Sequence, residues 1–266
     1  MNEQCNGWGL VTGATEDDGT RHDTTLIAGA GGQIPVEVFR PASATGSAVV
    51  IGAEATGPNR FVRTVARRLA VLGHTVVIPD YYRGTGAPDP DDYDNLAPVR
   101  ELIAELDFRR ASFDVLDAIR WARGLDGVDS QRIAVWGYCT GATLTFLAAA
   151  LDPALAAAVL FYPSQPVFDT IDAAHPAHAL DLMWAIRAPL LTFYGNRDHA
   201  FPADVRERFE NGYTRWHIPG RLVVYPDADH VFAGAMPDRY RQDYDEDSWR
   251  IATSFLDEHL TTSIRT

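Results

Sequence analysis

The chain has few cysteines and little positive charge, and both shortages exclude classes of protein. Only two cysteines, Cys5 and Cys139, occur among 266 residues, and they lie far apart. A disulfide framework is therefore not expected, which suits a reducing compartment. Lysine and arginine total 23 against 36 aspartates and glutamates, a net charge of −13. Because this negative excess repels phosphate backbones and anionic lipids, we expect neither nucleic acid nor a membrane as a partner.

Long apolar runs, repeats and low-complexity linkers are also missing. No stretch approaches the length of a membrane span, and residues 1–7 have neither the basic start nor the apolar core of a signal peptide. We therefore expect a cytoplasmic protein. Hydrophobic residues make up 46% of the chain and charged residues 22%, which favours one globular domain over residues 1–266, with 1–23 as an irregular extension. The oligomeric state stays open.

Short apolar runs rich in β-branched residues alternate with longer segments of helical period. This pattern predicts an α/β fold, with a mostly parallel central sheet and helices on both of its faces. A glycine-rich turn at 29–32 joins runs 24–28 and 34–39 into a predicted N-terminal hairpin. Six further runs read as buried strands: 48–51, 75–78, 133–136, 158–162, 190–194 and 222–225. Amphipathic spacing predicts helices over 61–72, 102–121 and 248–260.

Residues 164–187 break this alternation. The segment is long and rich in proline, histidine and aspartate. Because long connections in compact domains are usually functional, we expect a lid or pocket wall here. His175 and His178 lie near two aspartates, but the intervening proline and the lack of a third firm ligand argue against a metal site. We predict neither a metal nor a cofactor.

The pentapeptide Gly137–Gly141 is the most informative stretch of the chain. An apolar run precedes it and a run of small residues follows it, which is the pattern of strand, sharp turn and helix. Glycines on either side let the strand and the helix approach closely, so Cys139 projects from a strained turn. The helix dipole there favours the thiolate, which makes Cys139 a candidate nucleophile. The competing interpretation is a buried structural thiol.

A thiol nucleophile needs a base, and the base needs a carboxylate that fixes its tautomer. In this architecture reactive groups gather at the carboxyl ends of parallel strands, in the chain order nucleophile, acid, histidine. Asp198 follows the predicted strand 190–194, and His230 follows 222–225. We therefore predict a triad of Cys139, Asp198 and His230. The alternative for His230 is a surface histidine after a strand.

With these residues in view, the chain resembles the dienelactone hydrolase family of α/β-hydrolases over approximately residues 34–260. The resemblance rests on the residues at 54–57, 79–83, 137–141, 195–199 and 229–232. It implies that Glu54 contacts the resting nucleophile and restrains it until substrate rearranges the site, whereas the alternative is a solvated loop carboxylate. It also implies an oxyanion hole made by the backbone N–H groups of Ala55 and Thr140, because charge developing on a carbonyl oxygen needs preset donors.

The resemblance also indicates where substrate binds. The founding substrate of the family carries a carboxylate held by arginines, and Arg83 is the counterpart of one of them, although it lies one residue closer to the strand-end aspartate than expected. Gly234 stands where a second arginine is expected. Losing one of the pair loosens selection for a small anionic lactone. Together with the segment 164–187, four aromatic side chains indicate a larger, less charged ester or lactone as substrate, although ordinary packing explains them equally well: Tyr81, Tyr82, Tyr138 and Trp184.

These features predict a hydrolase of small-molecule carboxylic esters or lactones, working through a thioester on Cys139. Two other functions stay open. One is an acyltransferase or cyclase in which another nucleophile intercepts the same thioester. The other is a non-catalytic binding protein on this fold.

Overall fold

The computed structural model describes residues 18–234 and 236–261. A sheet of eight strands lies at its centre, in the order β1-β2-β4-β3-β5-β6-β7-β8. The strands are β1 Arg21–Gly29, β2 Gly32–Arg40, β3 Ala48–Gly52, β4 Thr75–Pro79, β5 Ile133–Tyr138, β6 Ala157–Phe161, β7 Leu190–Gly195 and β8 Gly220–Tyr225. Strand β2 pairs antiparallel with β1 and β4, and every other pair is parallel. The predicted fold class is confirmed.

The helices are α1 Arg60–Val71, α2 Ala97–Glu105, α3 Phe108–Arg123, α4 Thr140–Leu151, α5 Ala203–Trp216 and α6 Gln242–Leu260. Helices α3 and α4 pack against each other. Helix α1 meets α6, where the Arg68 guanidinium lies 3.6 Å from the ring centroid of Trp249. These two groups of helices cover the sheet, and strands β3 to β7 are buried along their whole length. Strands buried on both faces explain the uninterrupted apolar runs in the sequence.

Several predicted boundaries differ from the observed ones. Strand β1 begins at Arg21, so residues 21–23 belong to the sheet, whereas most of the predicted extension 1–23, with Cys5, lies outside the described residues. The helix predicted over 102–121 is two helices, because the Asp107 side chain accepts a hydrogen bond from Arg110 N and starts α3 as a new N-cap. Helix α6 begins six residues before the predicted start at 248.

The segment 164–187 consists of bends and irregular backbone with a 3-10 helix at Ala179–Ala185. His175 Nδ1 lies 3.1 Å from Asp172 Oδ1, and His178 Nδ1 accepts a hydrogen bond from Phe168 N. Across 18–234 and 236–261, no three side chains of metal-ligating type form a cluster. None of the helices in those ranges has the length and apolar character needed to cross a membrane.

Candidate active site

Cys139 lies at the sharp turn between β5 and α4. Its φ of 50° and ψ of −120° are strained for a residue with a side chain. A Cβ on Gly141 would overlap the backbone of Gly52, and one on Gly137 would overlap helix α4 at Ala142. The two glycines therefore allow the helix to start directly against β3 and β5, and this close packing forces Cys139 into the turn. The predicted arrangement of strand, turn and helix is present.

Three side chains from the carboxyl edge of the sheet form a hydrogen-bonded series. His230 Nε2 lies 3.1 Å from Cys139 Sγ, and His230 Nδ1 lies 2.9 Å from Asp198 Oδ2. The Asp198 side chain is fully buried, whereas Cys139 is partly exposed. Asp198 Oδ1 also accepts a hydrogen bond from Ala200 N, which fixes the carboxylate. The structure thus brings together the three residues predicted as a triad and leaves Cys139 partly exposed.

The charges of this series support one another. Burial of the imidazole lowers the pKa of His230, but the negative charge of Cys139 and the hydrogen bond to Asp198 outweigh burial and raise that pKa to about 10. Burial raises the pKa of the Cys139 thiol, but the positive charge and hydrogen bond of His230 prevail and lower it. The arrangement therefore favours a thiolate paired with an imidazolium.

Ala55 and Thr140 carry the two backbone N–H groups that are predicted to form the oxyanion hole, and that role stays a prediction. Thr140 is the first residue of α4, and neither its N–H nor that of Ala55 donates to another residue in the described ranges. The peptide between Glu54 and Ala55 is anchored, because Glu54 O accepts hydrogen bonds from Tyr81 Oη at 2.8 Å and Gly57 N at 2.9 Å. Since C=O and N–H point in opposite directions across a trans peptide, this anchor fixes the direction of the Ala55 N–H.

Glu54 is buried beside the series, with 4% of its surface exposed. Its Oε1 accepts hydrogen bonds from Asn59 Nδ2 at 2.5 Å and from the Tyr93 hydroxyl. Burial raises the pKa of Glu54, while the bonds from Tyr93 and Asn59 act in the opposite direction. The contact with the nucleophile implied by the family resemblance is not the arrangement seen, because the Cys139 sulfur is bonded to His230 instead. Glu54 is not a solvated loop carboxylate either.

Arg83 does not reach this site as a free cation. Its Nε and Nη2 bond the two carboxylate oxygens of Asp114 at 2.9 and 2.6 Å, and its Nη1 donates to Gly31 O at 2.5 Å. All three nitrogens of the guanidinium therefore already have a partner, and the role of Arg83 in binding a substrate carboxylate stays a prediction that this pairing does not favour.

The aromatic candidates fall into different environments. Tyr82 is 3% exposed and its hydroxyl donates to Ala55 O at 2.8 Å, so it supports the loop after β3. Tyr138 is 2% exposed and packs against Phe61 and Phe161, as a core residue does. These two residues pack as the alternative interpretation expects, and their contact with a substrate stays a prediction. Trp184 is exposed on the 3-10 helix, and its role stays a prediction.

Sequence reasoning missed four residues around the series. Ser164 donates its N–H to Cys139 O at 3.2 Å, and its hydroxyl lies 3.3 Å from Thr140 Oγ1. Tyr162 packs edge-on against the His230 ring, 5.2 Å between centroids, and has a positive φ. Both follow β6 at the carboxyl edge, a position that could have marked them. Asn59 and Tyr93, which hold Glu54, carry no comparable signal in the sequence.

A turn that presents a thiol to a histidine at the carboxyl edge of a mostly parallel sheet is the architecture of α/β-hydrolases, and this chain is one of them. The model of the dienelactone hydrolase family matches residues 34–260. The chain therefore belongs to the dienelactone hydrolase family.

Individual relatives agree with this assignment. A candidate carboxymethylenebutenolidase from Salmonella typhimurium is 29% identical over 239 residues, which cover 89% of this chain and 87% of the relative. A candidate 2-oxo-3-(5-oxofuran-2-ylidene)propanoate lactonase from Bradyrhizobium is 26% identical over 213 residues, covering 80% and 84%. The crystal structure of a candidate dienelactone hydrolase from Klebsiella pneumoniae has a TM-score of 0.78 and 28% identity, covering 89% and 98%. This chain is similar to all three along most of its length.

Proposed function

We propose that this protein hydrolyses small-molecule carboxylic esters or lactones, with Cys139 as the nucleophile and without a cofactor. The observation that carries the proposal is the series from Cys139 through His230 to Asp198, with contacts of 3.1 and 2.9 Å. Membership of the dienelactone hydrolase family supports the reaction class. The names of the relatives, a carboxymethylenebutenolidase and a lactonase, support a lactone as substrate.

The first half of the reaction forms a thioester. The Cys139 thiolate attacks the carbonyl carbon, and the negative charge moves to the carbonyl oxygen, where the N–H groups of Thr140 and Ala55 receive it. Collapse of this intermediate breaks the bond to the alkoxy oxygen, and His230 Nε2 gives its proton to that oxygen. With a lactone, the released hydroxyl stays attached to the acyl group.

The second half returns the enzyme to its starting state. His230, now neutral, accepts a proton from water, and the resulting hydroxide attacks the thioester carbonyl. The Cys139 sulfur leaves as a thiolate and pairs again with the imidazolium. Asp198 stays ionised and keeps the Nδ1 proton of His230 in place throughout. The product of a lactone is a hydroxy acid, and the products of an ester are an acid and an alcohol.

The surroundings of the site support an acyl group without a carboxylate of its own. Arg83 is paired with Asp114, and Gly234 has no side chain to offer. Neither position therefore provides the free guanidinium that would select an anionic substrate. We place the segment 164–187, with Trp184, at the entrance as a pocket wall.

The direct test compares Cys139→Ala with the matched variant Cys5→Ala, which removes the other cysteine of the chain. Both are assayed with activated short-chain esters and simple lactones, and the product mass is recorded. We expect Cys5→Ala to retain the wild-type rate and Cys139→Ala to lose hydrolysis. A wild-type rate for Cys139→Ala would remove Cys139 from the mechanism, and a product lacking the added water would replace hydrolysis by acyl transfer or cyclisation.

A further inference from the structure

A small buried network holds the carboxylate of Glu54. Asn59 Nδ2 lies 2.5 Å from Glu54 Oε1, 2.6 Å from Tyr93 Oη and 2.9 Å from Thr56 Oγ1, and the Tyr93 hydroxyl bonds the same Glu54 oxygen. Asn59 is fully buried and its Oδ1 caps helix α1 through Val62 N. Its rotamer is therefore fixed from the helix side, and its amide can point only toward Glu54 and its neighbours.

Glu54 acts on the nucleophile through its charge. A carboxylate beside a thiol disfavours the thiolate, and the charge of Glu54 raises the pKa of Cys139. The same carboxylate interacts favourably with the positive charge of His230 and unfavourably with Asp91. The loop that carries Glu54 packs against the turn of Cys139, because a Cβ on Gly141 would lie 2.2 Å from the backbone oxygen of Ala53. Glu54 therefore disfavours the Cys139 thiolate, yet its bonded oxygen is directed to two donors outside the pair of Cys139 and His230.

We infer that Tyr93 and Asn59 are positioning residues that hold the Glu54 carboxylate away from the Cys139 thiol, and so leave the sulfur to His230. This inference rests on the proposed function, because it assigns a regulation of the same nucleophile. Tyr93 comes from the irregular segment between β4 and α2, far from Cys139 in sequence. Without its two donors, Glu54 would be a buried carboxylate in need of a hydrogen bond, and a protonated Cys139 would supply an S–H donor from the turn against which its loop packs.

The test measures the ionisation of Cys139 and does not require turnover. Iodoacetamide alkylation of Cys139 is followed by mass spectrometry as a function of pH, in a Cys5→Ala background. We expect Tyr93→Phe to raise the apparent pKa of Cys139 by about one unit, so that alkylation well below that pKa is about tenfold slower. Asn59→Ser retains a residue able to cap α1 and is also expected to slow the alkylation of Cys139.

Two controls separate positioning from a general structural effect. In a Glu54→Gln background the carboxylate is absent, so Tyr93→Phe is expected to leave the alkylation profile unchanged. Tyr213→Phe removes a hydroxyl that bonds Thr192 and Leu190. Leu190 is the first residue of β7 and lies at the opposite end of that strand from the site, so this variant is expected to have the wild-type alkylation profile. An unchanged or lowered pKa of Cys139 in both Tyr93→Phe and Asn59→Ser, or an equal shift with and without Glu54, would overturn the inference. Alkylation reports on the thiol alone. If the proposed hydrolysis is wrong, Cys139 would still be alkylated at the expected rate while no ester or lactone is hydrolysed, so the two failures can be told apart.

Discussion

Replacing Asp198 by asparagine tests whether a carboxylate fixes the tautomer of His230 and stabilises its positive charge, as the proposed mechanism requires. Asp198 Oδ2 lies 2.9 Å from His230 Nδ1, and its side chain has no exposed surface. An amide in the same place removes the negative charge and can donate to Nδ1, which places the imidazole proton on Nε2 and blocks it from accepting a proton there. The neutral imidazole no longer supports the thiolate.

The expected size of the effect follows from this one contact. A hydrogen bond to a charged group contributes about 1.5–3 kcal/mol, and one pKa unit corresponds to about 1.4 kcal/mol. The pKa of His230, raised to about 10 in the intact site, should therefore fall by about 1–2 units. Since Cys139 and His230 stabilise each other's charges, the pKa of the thiol should rise by a similar amount.

The assay combines Cys139 alkylation with ester hydrolysis. Below the wild-type pKa of the thiol, alkylation of Asp198→Asn should be about 10- to 100-fold slower, and kcat/KM should fall by at least as much. Asp229→Asn makes the same change of charge at an exposed neighbour of His230 and should behave like the wild type. A correctly folded Asp198→Asn protein with both rates within twofold of wild type would refute this reasoning.

Three further predictions concern the support of the site, the buried ion pair and pH. Tyr81→Phe loosens the peptide anchored for the oxyanion, so kcat should fall about tenfold with little change in KM, measured by steady-state kinetics. Arg83→Met leaves the buried Asp114 without its partner, so the free energy of unfolding should fall by about 3–5 kcal/mol in denaturant titration. The KM of this variant should change equally for anionic and neutral lactones. A KM that rises only for anionic lactones would restore Arg83 as a substrate-binding residue. Hydrolysis should rise with pH through the lowered pKa of Cys139 and fall near pH 10, where His230 loses the proton it gives to the leaving group; a rate still increasing above pH 11 would contradict this assignment.

The positions of the predicted triad were accessible from the sequence for a simple reason. Each of Cys139, Asp198 and His230 lies in the loop that follows a strand, one, three and five residues after the strand ends. The carboxyl ends of parallel strands meet at one edge whatever the details of packing. The sharp turn at Gly137–Gly141 was accessible too, because the close approach of its backbone to β3 and α4 requires glycine on both sides of Cys139. Strand periodicity and turn chemistry are local, and local signals survive in a single sequence.

The parts that could not be predicted depend on contacts between distant segments. Arg83 turns toward Asp114, which lies on α3, and no motif records that pairing. Tyr93 reaches Glu54 from a segment without periodicity, so its role depends on tertiary structure alone. The start of α3 is a different case, because Asp107 before a helical pattern is an N-cap signal that the continuous amphipathic spacing outweighed.

The most direct measurement of the central claim is rapid-quench mass spectrometry of the enzyme during turnover of a simple lactone. A covalent thioester intermediate predicts that the peptide containing Cys139 gains the full mass of the lactone, and that this species forms and decays at rates compatible with kcat. Turnover at the same rate with no acyl group on Cys139, together with a fully active Cys139→Ala variant, would contradict the account.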